Sequence, residues 1–302
     1  MTSSLTPTDQ TDQTEPAVAT DAQPGPPGPP AASRAPTTGA RGGRLAELAR
    51  GFGWAVLGTA VVVLLWQLAA TRSADVPAPL DGARTLIDLL SDPFYDNGPN
   101  DKGVGLHLGT SLQRVFTGFA LAAVFGVLAG LLIGANRRAW LAFNPVIQVL
   151  RPVSPLAWFP IWLAVFKDAP QASVFVIFIT ALWPTLINTA AGAAQIPQDH
   201  RNVARVFRFG RIAYMRHVLI PNALPSIITG LRLSMGIAWM VIVAVEMLSG
   251  NSGIGFFVWD SYNAGNLSSV VAAIVLIGLV GLILDAILVR LSRKAAIEEV
   301  QS

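Results

Sequence analysis

The chain has 302 residues, 52% hydrophobic and 13% charged, with a formal net charge of +3. Soluble chains carry about 25% charged residues, so this composition leaves too little polar surface to wrap a soluble core and reads as a polytopic membrane protein. The small basic excess excludes the dense cationic patch of a nucleic-acid binder, and the absence of cysteine excludes disulfides, thiolate nucleophiles, iron–sulfur ligands and Cys-containing zinc sites.

Residues 1–45 hold most of the Pro, Ser, Thr and Gln bias, including the run Pro24-Gly25-Pro26-Pro27-Gly28-Pro29-Pro30, and read as a disordered tail. They do not read as a signal peptide, because the first apolar run starts near Gly51 and is too long for an h-region. An apolar membrane domain follows over 46–292, with a short tail at 293–302. Within it, apolar stretches of membrane-spanning length, about 20 residues, recur at 52–70, 108–133, 141–166, 174–191, 224–248 and 267–288. The third is interrupted by Pro152 and Pro155, which should break its helix. Six spans put both termini on one side. Fourteen of the 21 Lys and Arg residues fall on that side, four on the other and three inside spans, so the positive-inside bias places both termini in the cytoplasm.

Two connections exceed a tight turn. The outer one, 71–107, contains Leu86, Leu89 and Leu90 at helical spacing behind Asp81 as N-cap, which predicts a short amphipathic helix on the outer membrane surface. The inner one, 192–222, is too polar to span. Its 198–209 segment places Val203, Ala204, Val206 and Phe207 on one stripe and Arg201, Arg205 and Arg208 on another face. A second helical stretch, 212–220, follows Gly210 and should stop before Pro221. Two readings fit this helix–turn–helix: an amphipathic helix on the membrane surface, or a helix that docks a cytoplasmic partner.

A phosphate-binding loop needs Gly-Lys before Ser or Thr, and Lys102, Lys167 and Lys294 follow Asp101, Phe166 and Arg293, so any ATP is hydrolysed by another subunit. The stretch Gly250-Asn251-Ser252-Gly253 could present a serine nucleophile, but the histidines, His107, His200 and His217, do not lie deep enough in a span to activate it. They form no H-E-x-x-H zinc pair either. The series Gly126, Gly130 and Gly134 permits close helix packing. Arg114, Arg151 and Arg232 are the cations inside spans, each costing about 2.5–3.5 kcal/mol at the centre. Arg114 should snorkel to the outer surface. Arg151 either lines an anion route or bonds carbonyls freed at Pro152. Glu246 and Asp285 read as helix-end contacts.

The inner loop resembles that of permease subunits of bacterial ABC importers, whose pattern is E-A-A, three residues, G, nine residues, I-x-L-P. Counting back from Pro221 aligns Asn202-Val203-Ala204 with E-A-A, Arg208 with the Gly, and Val218 and Ile220 with the Ile and Leu. Asn202 and Arg208 depart from the pattern, and Gly210 could supply the turn instead. The stretches 91–101 (SDPFYDNGPND), 148–158 (QVLRPVSPLAW), 188–192 with 196–199, and 253–260 (GIGFFVWD) resemble the nitrate/sulfonate/bicarbonate importers, nearest to the nitrate branch, over roughly 76–291. The resemblance implies an all-α, six-span type I permease with a cytoplasmic coupling helix in a bacterial plasma membrane. It also implies a homodimer, two ATPase subunits holding ATP and Mg2+, an extracytoplasmic solute-binding protein, and no enzymatic activity or cofactor in this chain. Nitrate is the substrate so implied, with bicarbonate, sulfonate or taurine as alternatives and an ATP-independent transporter or channel as the reading of another class. Asn202, Val203, Ala204, Arg205, Phe207, Arg208, Gly210 and Pro221 are the expected ATPase-coupling residues, and Arg151 and Arg232 the expected residues of the anion path.

Overall fold

The computed structural model describes residues 40–73, 76–98 and 101–301, with side chains described for 50–73, 76–98, 101–200 and 202–292. The expected tail over 1–45 lies outside the described residues up to residue 39. The chain divides into two compact units, Met1–Gly58 and Thr59–Ser302. In the first, the described residues belong to helix α1, Ala40–Arg72. In the second, the remainder of α1 carries Trp66, whose indole N–H donates to the Pro77 carbonyl at 3.0 Å.

The elements after α1 are α2 (Pro79–Ser91), α3 (Val104–Ala135), α4 (Arg137–Leu150), α5 (Pro155–Phe166), α6 (Ala169–Ala194), α7 (Gln198–Val206), α8 (Arg211–Tyr214), a π-helical turn (Met215–Leu219), α9 (Ile220–Ser249), α10 (Ile254–Asn263) and α11 (Leu267–Gln301). Among the described residues, five helical segments are long and apolar enough to cross a bilayer, and a sixth crossing follows if α4 and α5 count together. Those two are bent by 93° at Arg151–Ser154, where Pro152 removes a donor and Pro155 opens α5. With 14 and 12 residues, each half reaches only about 20 Å at 1.5 Å per residue, short of the roughly 30 Å hydrocarbon core.

The core of the second unit is a trio in which α6 packs between α3 and α9. Glycine decides how close α3 and α6 come. A Cβ at Gly118 would lie 2.8 Å from Ile177, one at Gly126 2.9 Å from Thr185, and one at Gly130 2.6 Å from Thr189; at Gly134 it would strike the Ala190 backbone. The glycine series therefore serves packing, as its spacing predicts. Across the α6–α9 contact the Thr185 and Ser234 hydroxyls lie 2.6 Å apart, and Ser234 donates to the Ala181 carbonyl at 2.7 Å. Around them Val115, Ala122, Ile177, Ala181, Met235, Ala238, Trp239 and Ile242 close the main cluster.

Two helix expectations change in detail. Helix α2 begins at Pro79, with Ala78 as its N-cap, so Asp81 sits inside the first turn and meets Arg84 at 3.8 Å instead of capping. Its Leu86 and Leu89 pack on the main cluster, and a Cβ at Gly82 would lie 2.7 Å from Val271 of α11. The helix is docked on the bundle, since its apolar stripe finds a protein surface before a lipid one. The expected stop before Pro221 does not occur either. The π-helical turn shifts the register so that the Ile220 N–H bonds the Met215 carbonyl, and Pro221 falls in the first turn of α9, where its missing N–H costs little. Segment Arg211–Ser249 is consequently one helical rod of 39 residues.

Candidate coupling loop and intramembrane charge sites

The inner loop folds around one buried methyl group. Ala204 is 5% exposed and packs with Ala193, Ile196, Val218, Leu219, Ala223 and Ile227. His200 Nδ1 lies 3.1 Å from Asn222 Oδ1, tying the start of α7 to α9. The other apolar residues of the predicted stripe point elsewhere: Val203 is 51%, Val206 78% and Phe207 70% exposed, and Ile212, past the turn, is exposed with them. Asn202, Arg205, Arg208 and Gly210 are exposed beside them, while Pro221 is half-buried. The Arg201 side chain lies outside the described residues. The loop thus presents an apolar patch rimmed by arginine, the composition of a protein-contact surface.

The turn after α7 explains the departure at Arg208. Phe209 N–H bonds the Ala204 carbonyl at 2.9 Å and Arg208 N–H the Arg205 carbonyl at 3.0 Å, the bond pair of a Schellman C-terminus. That motif needs a left-handed residue, usually glycine, and Arg208 takes it at φ 48°. Gly210, at φ −65°, adopts an ordinary conformation and does not replace it. Arg208 therefore holds the backbone role that the resembling pattern gives to glycine.

The intramembrane cations occupy three different settings. Arg114 does not snorkel: it is 6% exposed, and its Nη1 donates to Glu246 Oε1 at 2.8 Å and to the Ser252 carbonyl at 2.7 Å. Its Nη2 donates to Ser252 Oγ at 2.7 Å. Glu246, fully buried in the last turn of α9, also accepts from Ser111 Oγ at 2.7 Å and from Gly255 N–H at 3.1 Å. Ile254 N–H in turn donates to Ser111 Oγ at 2.8 Å, and Gly253 N–H to His107 Nδ1 at 3.2 Å. The cluster clasps α3, the end of α9 and the start of α10. A serine nucleophile finds no role in it. His107 does lie next to the Gly250–Gly253 turn, contrary to the sequence argument, but its Nδ1 is held by Gly253 and the Ser252 hydroxyl by Arg114. Glu246 is the helix-end contact that its position predicts; its pairing with Arg114 is what sequence reasoning missed. The available signal was that an arginine and a glutamate sit in apolar helices at the same bundle end, each costly alone.

Arg232 meets a carboxylate distant in sequence: Nε donates to Asp285 Oδ1 at 2.7 Å and Nη2 to Oδ2 at 2.9 Å, a bidentate pair between α9 and α11. Arg151, exposed at the α4–α5 bend, carries no ion pair among the described residues. It lines a cavity of about 190 Å³ with Trp158, Thr180, Trp183, Pro184 and Ile237. Among the described residues no group of three His, Cys, Asp or Glu side chains is placed to hold a metal ion.

A bundle of apolar helices, one of them broken at mid-length, with an arginine-rimmed loop at one end, is the architecture of a membrane-embedded helical protein. Residues 122–297 match the family of binding-protein-dependent transport system inner membrane components, and the chain belongs to that family. It is 46% identical over 227 residues to the nitrate import permease protein NrtB of Synechocystis sp., covering 75% of this chain and 82% of that one. It is 45% identical over 235 residues to the bicarbonate transport system permease protein CmpB of Synechococcus elongatus, covering 76% and 84%. To the putative aliphatic sulfonates transport permease protein SsuC of Bacillus subtilis it is 31% identical over 250 residues, covering 80% and 87%. Among solved structures, the inward-facing MetNI methionine ABC transporter has a TM-score of 0.55 at 17% identity, covering 62% of this chain and 94% of that chain, which shows a shared fold. The chain is a multi-pass inner-membrane permease subunit of an ABC importer and no enzyme; ATP hydrolysis belongs to separate subunits.

Proposed function

We propose that the chain forms the translocation pathway of an ATP-driven nitrate importer. The observation that carries this reading is the 46% identity over 227 residues to NrtB, which spans 82% of that protein. The 45% identity to CmpB supports bicarbonate as the second reading. In this proposal two copies pair in the membrane with both termini cytoplasmic, a sidedness supported by fourteen of 21 Lys and Arg residues falling on that side. Two ATPase subunits bind ATP and Mg2+, and a solute-binding protein delivers the anion from outside.

The ATPase docks on the exposed patch of Asn202, Val203, Arg205, Phe207 and Arg208, while Ala204, Gly210 and Pro221 shape the loop beneath. Arg232 contributes to the path as half of a neutral pair with Asp285. Arg151, with its charge uncompensated, is the stronger attraction for an anion. Alternating access follows when ATPase closure moves the loop. Co-reconstitution with the ATPase and binding protein into proteoliposomes tests the whole reading. Labelled nitrate should accumulate only with ATP. Uptake of bicarbonate without nitrate would overturn the substrate, and uptake without the ATPase would overturn the ATP-driven class in favour of a secondary transporter or channel.

A further inference from the structure

Helix α3 is apolar except along one face of its first half, where Thr110, Gln113, Arg114 and Thr117 follow one another at spacings of three, one and three residues. This face and the start of α6, with Gln171, enclose an open cavity of about 530 Å³. Gln113, Thr117 and Gln171 are exposed to it. Exposed glutamine amides in a hydrocarbon-length helix are costly against lipid and call for polar contents.

The chemistry of the wall is one-sided. Thr110 and Thr117 spend their hydroxyl protons on the Leu106 and Gln113 carbonyls, at 3.0 and 2.7 Å. Arg114 commits three N–H bonds, to Glu246 and Ser252, out of the five its guanidinium offers. The donors left for a ligand are the exposed Gln113 and Gln171 amides, with the Arg114 guanidinium reaching the cavity wall at only 6% exposure. No carboxylate lines the cavity, since Glu246 is fully buried among Ser111, Gly255 and Arg114. The facing wall is apolar, with the rings of Phe166 and Phe175.

We propose that this cavity is an entry subsite for a small oxyanion, which accepts hydrogen bonds from the amides and the guanidinium edge on one wall and is bounded by the apolar wall opposite. The inference rests on the sidedness proposed above, which turns the start of α3 outward. Because Arg114 is already balanced by Glu246, the site has donors but no net charge. That makes it a weak, fast-exchanging station, favourable enough to enter and easy to leave.

The absence of cysteine permits a direct test. In the full complex in lipid nanodiscs, the only cysteine of this chain in a Thr117→Cys variant is modified with anionic methanethiosulfonate ethylsulfonate in sodium nitrate, bicarbonate, methanesulfonate or chloride at equal ionic strength, the adduct being quantified on this chain by mass spectrometry. At several times its dissociation constant, an oxyanion bound here slows modification about fivefold relative to chloride by mass action. Adding Gln171→Glu, isosteric and exposed, should abolish the protection. Gln113→Cys is the second probe should Thr117→Cys not assemble. Equal rates in all four salts, protection that survives Gln171→Glu, or rates that follow lipid composition alone, marking a phospholipid in the cavity, each overturn the proposal. Protection by bicarbonate but not nitrate supports the subsite while refuting nitrate; nitrate uptake without protection does the reverse.

Discussion

Arg114 and Glu246 illustrate how much a single buried pair can ask of its neighbours. Removing one partner leaves the other charge unpaired away from water, a loss of about 3–5 kcal/mol, whereas replacing both with apolar groups of similar volume is close to neutral. Glu246→Gln should therefore lower the midpoint of thermal unfolding of the complex sharply, and Arg114→Met with Glu246→Met should recover most of it. Equal losses in the single and double variants would show that the clasp is held by something else. Beside it, Gly253 has φ 111°, and a Cβ there would strike the Glu246 carboxylate. Gly253→Ala should thus cost at least the roughly 1–3 kcal/mol of a strained backbone position. Arg208 carries the opposite opportunity. A left-handed arginine at a helix C-terminus costs about 1 kcal/mol relative to glycine, so Arg208→Gly should raise the unfolding midpoint, and a lower one would contradict the strain. Three cations inside spans were legible in the sequence as anomalies. The partners of two of them were not, because Glu246 is 132 residues from Arg114 and Asp285 53 from Arg232, and only the antiparallel packing brings them together.

At the scale of elements, hydrophobic periodicity was a good guide where a helix had one environment and a poor one where it had two. The α7 stripe looked continuous, yet Ala204 faces the body of the protein and Val203, Val206 and Phe207 face away. The two positions therefore separate in a docking experiment. Arg205→Glu should weaken co-purification of the ATPase while the permease keeps its stability. Ala204→Asp places a charge among Ala193, Val218 and Leu219 and should destabilise the loop itself, seen as faster proteolysis even without the ATPase. Normal ATPase recovery with Arg205→Glu would count against the docking face. The loop before α3 is held by a different interaction. Asp96 meets Lys102 at 3.2 Å beside an antiparallel bridge, and that hydrogen bond, helped by the Gly98 N–H, holds its carboxyl below the usual range. The sign follows from the depressed pKa: the pairing is fully present above the ordinary carboxylate pKa and is lost as pH falls through the lower, folded value. Hydrogen exchange at Gly103 N–H, bonded to the Tyr95 carbonyl at 2.8 Å, should accelerate in that acid window beyond its intrinsic pH dependence, and an unchanged protection factor would refute the coupling.

At the scale of the molecule, the number and placement of apolar segments were readable because a bilayer leaves the backbone few options: helices of about 20 residues or breaks satisfied by protein. The proline pair at 152 and 155 even located the one break. What spacing could not supply was continuity across the inner loop, where a π turn carries the helix past Pro221. That uninterrupted segment, Arg211–Ser249, is about 58 Å long at 1.5 Å per residue, with the arginine-rimmed loop at one end and the Glu246 clasp at the other. The π-helical turn at Met215–Leu219, with Pro221 and Pro225 just beyond it, is where such a segment bends most readily, so a displacement applied near Ile212 reaches the clasp on α3 and α10 only while that stretch stays stiff. Spin labels at Ile212 and Leu248, both exposed, should stay about 54 Å apart with and without ATP, while their distances to α3 change; a rod that shortens on nucleotide binding would place the joint inside it.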